Sequence, residues 1–348
     1  MRRAARIGCL ELDHILRHMT DFPHTLILIT TYRCNMRCGY CPVEQSNEDM
    51  SMETALLALE HFFANADSPG RVRFFGGEPL LNFEIVRGAT QAAENFCGEL
   101  LLDLTTNGTL LNDETIRFFE ARAHFELIIS IDGQRETHCS ERHGGDDGFS
   151  WVERLAKTLS HMKNVSVNKV ISPANVLRLH HDFAFIRKLG FSRINLLPAY
   201  YNYWPPESLA ALNERLDKLV QLIGMMERDG FPVSIRNVEF SGELPLFNSG
   251  MVVDTDGKVY AANHIMYREL RGFRSEAVRT DVRAFSRESL AGGLEREREL
   301  IAREVPREIL NSTSAIDAAL SRFVAAVAVR RRAGHSGSTG DSSSQPMS

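Results

Sequence analysis

The feature that most constrains this chain is a repeated alternation of short apolar strands and amphipathic helices between Leu26 and Leu197. Leu26–Thr31 (LILITT) is a run rich in β-branched residues, the pattern of a buried strand. Ser51 opens a helix that runs to about Ala66 and stops at Ser68-Pro69-Gly70. Val72–Phe75 is the next strand, with a helix over Asn82–Cys97. Leu101–Thr105 leads into Asn107-Gly108, and Asn112 caps a helix to about Arg122. Phe125–Ile131 is a near-continuous apolar strand ending at Asp132-Gly133. A polar loop rich in Gly and Asp then precedes a helix over Phe149–Met162. The strand Val165–Ile171, the helix Asn175–Leu189 and the strand Arg193–Leu197 complete the series. Strands of this kind with intervening helices predict an α/β fold on a parallel sheet, with chemistry on the loops that leave the strands. Both a partial (β/α) barrel and a flat doubly wound sheet accommodate this order.

After Leu197 the rhythm fades into a long helix over Pro206–Arg228. Met251–Asp254 and Lys258–Ala261, joined by Thr255-Asp256-Gly257, predict a hairpin with a tight Asp-Gly turn. Glu276–Leu310 is charged and reads as helical in pieces. A last helix over Thr313–Arg332 precedes a Gly/Ser-rich tail, Ala333–Ser348, whose composition predicts disorder. The organisation read from this is an N-terminal extension (1–24), a core (25–230), a C-terminal extension (231–312), a final helix (313–332) and the tail (333–348).

Composition narrows the function classes. With 43% hydrophobic and 24% charged residues among 348, the chain is an ordinary globular one. A formal net charge of −5 gives no general affinity for phosphate backbones, so no nucleic-acid partner is expected. No uninterrupted apolar stretch reaches bilayer-spanning length, and the basic start (Arg2, Arg3, Arg6) lacks a following signal-type segment. No membrane partner is expected, and a cytoplasmic setting is. Six cysteines are too few for a disulfide scaffold in a chain this long. Three of them, Cys9, Cys97 and Cys139, are scattered and read as small apolar residues.

The other three fall in one eight-residue segment, Cys34-Asn35-Met36-Arg37-Cys38-Gly39-Tyr40-Cys41. Three thiolates so close together suit one small inorganic cluster, each binding a different iron and leaving a fourth iron open. The alternative is a zinc knuckle completed by a distant ligand such as His61 or Cys97, although structural zinc sites generally take two separated ligand pairs. Gly76-Gly77-Glu78-Pro79 follows the second strand. Its glycines allow close approach of the backbone to a bound group, and Glu78 suits an ammonium partner.

Together, the Cys-x-x-x-Cys-x-Tyr-Cys segment and Gly-Gly-Glu-Pro resemble the radical S-adenosylmethionine (SAM) superfamily over about Thr25–Pro198. The resemblance implies a partial (β/α)6 barrel with a small C-terminal hairpin-plus-helix extension. It implies that Cys34, Cys38 and Cys41 ligate one 4Fe–4S cluster whose open iron chelates SAM. Reductive cleavage of SAM then gives a 5′-deoxyadenosyl radical that abstracts hydrogen from substrate. Tyr40 is expected near the adenine, and Gly76, Gly77 and Glu78 beside the methionyl group. A low-potential electron donor of the flavodoxin or ferredoxin type is implied as a partner.

Phe74–Leu81, Thr106–Leu111 and Ser130–Gly133 look most like the SPASM/twitch branch, which includes sulfatase-maturating and peptide-modifying enzymes. There a Ser on the fourth strand meets the SAM ribose and an Arg twelve residues later its carboxylate; Ser130 and Arg142 hold that spacing. Gly250–Tyr260 resembles the hairpin that opens the branch's extension, yet Ala261-Ala262-Asn263-His264 follows where the family has cysteine. A cluster-free lid without auxiliary clusters is therefore expected. The branch points to a peptide or protein side chain as substrate. A small molecule such as an amino acid, sugar or nucleoside is the alternative, and a non-catalytic iron–sulfur or zinc scaffold the second. Among the remaining residues, Tyr200–Trp204 reads as a packed connector and His180-His181 as surface histidines pointing apart. Asp132 reads as a turn residue, and Arg330–Arg332 as cations at a helix end. None stands out as a catalytic acid, base or hydrogen donor.

Overall fold

The computed structural model describes residues 22–66, 70–96, 100–143, 148–239 and 249–336. Cys9, Cys97, the basic N-terminal residues and most of the Gly/Ser tail lie outside the described residues. In chain order the strands are β1 (Thr25–Thr31), β2 (Arg71–Gly76), β3 (Leu101–Thr106), β4 (Phe125–Ser130), β5 (Val165–Ile171), β6 (Arg193–Pro198), β7 (Ser234–Ile235), β8 (Ser249–Val253), β9 (Lys258–Ala262) and β10 (Thr280–Asp281). The principal helices are α1 (Met52–Asn65), α2 (Phe83–Ala93), α3 (Asp113–Glu120), α4 (Arg135–Glu141), α5 (Ser150–His161), α6 (Leu179–Lys188), α7 (Pro206–Arg228), α8 (Gly293–Glu304) and α9 (Arg307–Ser336). They form two compact units, one of Met1–Arg37, Cys41–Ile129 and Phe247–Pro306, the other of Cys38–Tyr40, Ser130–Leu246 and Arg307–Ser348.

In the first unit, β1 is buried along all but its first residue, as a parallel strand with both faces covered should be. It pairs in parallel with β2 (Leu28↔Phe74), β2 with β3 (Phe74↔Leu104) and β3 with β4 (Leu104↔Leu127). Ser51 caps α1 by accepting from the Thr54 N–H at 3.1 Å, and Asn112 closes a capping box with Thr115 at the start of α3. The hairpin forms where the sequence places it, with Val253 opposite Val259. It is not a lid: β8 pairs in parallel with the far edge of β1 (Leu26↔Met251), so the hairpin extends the sheet. The reason lies in its residues, since Met251, Val252 and Val253 are all buried and Val252 shares a core with Ile27, Ile29 and Tyr260.

In the second unit, β5, β6 and β7 are parallel neighbours (Val167↔Ile194, Ile194↔Ile235). The last helix begins earlier than expected and runs along α7, burying Ile316, Leu320, Phe323 and Val327 from one face. Between Arg307 and Arg332 it has the length and hydropathy to cross a membrane, alone among the described helices, although its apolar stripe here is spent within the unit. Arg330–Arg332 lie within this helix and not at its end; Arg331 bonds Glu227 at 3.3 Å and the Val233 carbonyl. The Tyr200–Trp204 segment is a packed connector as expected, with Trp204 donating its indole N–H to the Ala199 carbonyl at 3.0 Å. One stretch differs from the sequence reading: residues read as polar loop after Gly133 hold the helix α4, whose Thr137 and His138 are buried. Its short, polar sequence carries no apolar period, so only the packing reveals it. His180 and His181 also differ, since their rings lie 4.0 Å apart and do not diverge.

Candidate functional site

The first unit joins three strand-end loops by hydrogen bonds. At the end of β1 the backbone turns into the cysteine segment, and Gly77 and Glu78 grip that turn: the Gly77 N–H donates to the Thr31 carbonyl at 2.9 Å and the Glu78 N–H to the Arg33 carbonyl at 2.8 Å. A Cβ on Gly76 would come within 2.3 Å of the Thr31 oxygen, and one on Gly77 within 2.3 Å of the Arg33 oxygen. Gly76 also holds φ +150°, which side chains disfavour. The glycines are thus required by the chain's own backbone at the root of the cysteine loop, a closer constraint than approach to a ligand.

Glu78 is buried, and its carboxylate accepts from the Leu80 N–H (3.1 Å), the Thr106 hydroxyl (2.7 Å) and the Asn107 N–H (2.7 Å). It therefore ties the loop after β2 to the loop after β3. Asn107 continues the chain of contacts by donating to the Asn35 side-chain oxygen at 2.8 Å, and Asn35 donates to Thr109 at 2.8 Å. Beyond Cys41, the segment after β9 straps the loop's other end: the Arg268 N–H donates to the Pro42 carbonyl at 2.9 Å and the Glu44 N–H to the Met266 carbonyl at 3.3 Å.

Cys34 and Cys41 sit on this loop, half-buried. Burial pushes the Cys34 thiol up; the Met36 N–H, donated to its sulfur at 3.4 Å, works against that, and negative charge at Glu78 and Cys41 adds to the rise. Positively charged iron would reverse this balance by drawing off the proton, and thiolate sulfur is the donor an iron–sulfur cluster takes, so the residues present fit one. Among the described residues no three His, Cys, Asp or Glu side chains converge as ligands of a single metal ion, and His61 lies against the Phe285 ring at 5.4 Å.

The second unit carries Cys38, Tyr40, Ser130 and Arg142. The Gly39 N–H donates to the Glu141 carbonyl at 2.8 Å, fixing Cys38–Tyr40 to the end of α4, and Asn202 donates to the Tyr40 carbonyl at 3.1 Å. Arg142 is neither a solvated loop residue nor loose. It is buried, and its Nε and Nη2 donate to the two Asp132 oxygens at 2.7 and 3.3 Å while the guanidinium stands 5.5 Å from the Tyr40 ring centre. Ser130, the buried last residue of β4, precedes Asp132 by two residues and takes no part in these bonds.

Asp132 is the hub that the sequence reading assigned only to a turn. Besides Arg142 it accepts from the Tyr40 hydroxyl at 2.7 Å and the Val170 N–H at 3.0 Å, and its carbonyl accepts from Lys169. Burial works to raise its carboxyl, but the Arg142 charge and hydrogen bonds, with His138 and Lys169, hold it below the usual carboxylate range. His138, whose ring nitrogen faces the Asp132 N–H at 3.4 Å, is pushed down to about 4 by burial and by the Arg142 charge, so it is neutral near pH 7. The one visible signal for this network was Lys169, a lysine inside the apolar strand Val165–Ile171. Asp182, which faces Lys169 at 3.5 Å and accepts from Thr137, directly follows the histidine pair His180-His181.

Residues 28–173 match the family model described as the radical SAM superfamily. An uncharacterized protein of Methanocaldococcus jannaschii is 33% identical over 235 residues, which are 64% of this chain and 77% of that one. The PqqA peptide cyclase of Gluconobacter oxydans is 26% identical over 211 residues, 60% of this chain and 58% of the cyclase. Among solved structures, native anSMEcpe with bound AdoMet and the Cp18Cys peptide superposes with a TM-score of 0.67 at 20% identity, covering 82% of this chain and 84% of that one.

Proposed function

The chain belongs to the radical SAM superfamily, and from that membership we propose that it cleaves SAM reductively and abstracts hydrogen from a peptide or protein side chain. The fold class is that superfamily's partial (β/α)6 barrel, not a flat doubly wound sheet, and its members use a 4Fe–4S cluster and SAM. When bound, the cluster supplies the electron that splits the SAM sulfonium to a 5′-deoxyadenosyl radical and methionine. Cys34, Cys38 and Cys41 would hold it. Gly77 and Glu78 fix the backbone from which Cys34 projects, and Ser130, Tyr40 and Arg142 are the candidate contacts to the cofactor's ribose, adenine and carboxylate. The chain's own work is to place these groups and exclude water from the radical.

The observation that carries this reading is the union of two motifs distant in sequence: Gly76-Gly77-Glu78 holds the root of the three-cysteine loop through its backbone. A peptide substrate is supported by the cyclase relative, whose name gives a peptide as what it acts on. A cytoplasmic location, where thiols stay reduced, and a flavodoxin- or ferredoxin-type donor belong to the same proposal.

Anaerobic reconstitution with iron and sulfide, followed by dithionite and SAM, tests it. The expected result is close to four irons per chain and release of methionine with 5′-deoxyadenosine, lost when Cys34, Cys38 or Cys41 is replaced by Ala. A protein that takes one zinc, or that turns over no SAM and keeps its properties when Glu78, Ser130 and Arg142 are replaced, is a scaffold and overturns the proposal.

A further inference from the structure

Arg142 can use its guanidinium in two ways, and the structure shows one of them already committed. The side-on edge, Nε with Nη2, is paired to Asp132 at 2.7 and 3.3 Å, and the Asp132 carboxylate is in turn pinned by the Tyr40 hydroxyl at 2.7 Å and the Val170 N–H at 3.0 Å. Among the described residues no acceptor meets Nη1. Such a fork, buried and tied along one edge, has lost its rotamer freedom before any ligand arrives, which is what preorganisation requires. Because Asp132 offsets its charge, what the untied end offers is direction more than net charge.

We propose that Asp132 and Tyr40 are positioning residues that hold Arg142 so that its untied end receives the carboxylate of SAM. This rests on the reading of the chain as a SAM-cleaving enzyme. Asp132 acts through Arg142 and never touches the cofactor; Tyr40 adds a second tie through its hydroxyl, independent of whatever its ring contacts.

The two products of SAM cleavage separate this role from a structural one, since methionine carries the carboxylate and 5′-deoxyadenosine does not. In the cluster-loaded protein, calorimetry should show Asp132→Asn and Arg142→Lys weakening SAM by about tenfold and Tyr40→Phe by two- to threefold, as fits loss of one charge-assisted contact. Affinity for 5′-deoxyadenosine should stay at the wild-type value in all three. If SAM affinity is unmoved, or if SAM and 5′-deoxyadenosine weaken together, the positioning role is wrong. Should Asp132→Asn fail to fold, Tyr40→Phe, which removes one hydroxyl and keeps the ring, decides the matter by the same pair of ligands. A wild-type protein that loads its cluster yet binds neither compound defeats the functional reading itself, an outcome distinct from the failure of the positioning role.

Discussion

Gly77 illustrates how a residue with no side chain can carry a site. Its Cβ position is filled by the Arg33 carbonyl, a backbone atom that cannot rotate away. Replacing it with Ala must push the start of the cysteine loop outward, breaking the bond from the Glu78 N–H to that same oxygen. Gly77→Ala is expected to cost on the order of 2 kcal/mol in urea unfolding and to lower iron retained after anaerobic reconstitution. A variant with wild-type stability and full iron content would mean that the loop is held by something else. The sequence displayed the glycines, Glu78 and the cysteines, and their residue types sufficed to suggest the chemistry. What it could not display is that the glycines' partner is the chain's own backbone, or that Glu78 spends three acceptor positions on Leu80, Thr106 and Asn107. Asp132 is hidden for the same reason: an Asp before a Gly signals a turn locally, and only burial beside Arg142 makes it a hub.

Where α8 meets the end of β9, a polar group stands in for apolar packing. Glu297, buried on α8, accepts from the Ala261 and Ala262 N–H groups at 2.7 and 3.2 Å and faces the His264 imidazole at 3.0 Å, with the Arg279 charge nearby. Burial pushes Glu297 up to about 8 and His264 down to about 4, so at neutral pH the contact joins a carboxylic acid to a neutral imidazole. The signs follow. The folded state keeps the Glu297 proton up to about pH 8, whereas the unfolded chain releases it near 4.5, so this residue's stabilisation is lost as pH rises toward 8. His264 acts oppositely but only below its unfolded value of 6.5, where the unfolded chain takes up a proton the folded one refuses until about 4. Between pH 6.5 and 8 the Glu297 effect stands largely alone, and unfolding free energy should fall by on the order of 1 kcal/mol. Glu297→Gln keeps the shape and the acceptor, so its stability should stay flatter over that window. Parallel pH profiles for the two proteins showing the same slope would exclude Glu297 as the source. Strands and helices with strong periodicity, such as Val165–Ile171 and Pro206–Arg228, were legible in the sequence to the residue. The helix α4 was not, because seven mostly polar residues have no period to read and their order comes from burying Thr137 and His138.

Both units are completed by segments far along the chain. In the first, β8 adds itself beside β1, and in the second α9 covers α7, with Ser312 and Thr313 accepting the Trp204 and Tyr201 N–H groups at 3.1 and 3.2 Å. Neither unit can bury its core until these late segments arrive, which makes long-range contacts part of the folding barrier. The last helix poses a sharper question, because its composition alone would permit a bilayer-spanning role. Within the second unit its two faces are unequal: Phe323 is 3% exposed and Val329 64%. If α9 is an ordinary core helix, Phe323→Ala leaves a cavity and should cost about 3 kcal/mol, while Val329→Ala should stay within about 0.5 kcal/mol. Urea unfolding of the two variants measures both. A Val329→Ala cost approaching that of Phe323→Ala would show that the outer face is buried too, and the reading of α9 as an ordinary core helix with one buried face would have to be abandoned.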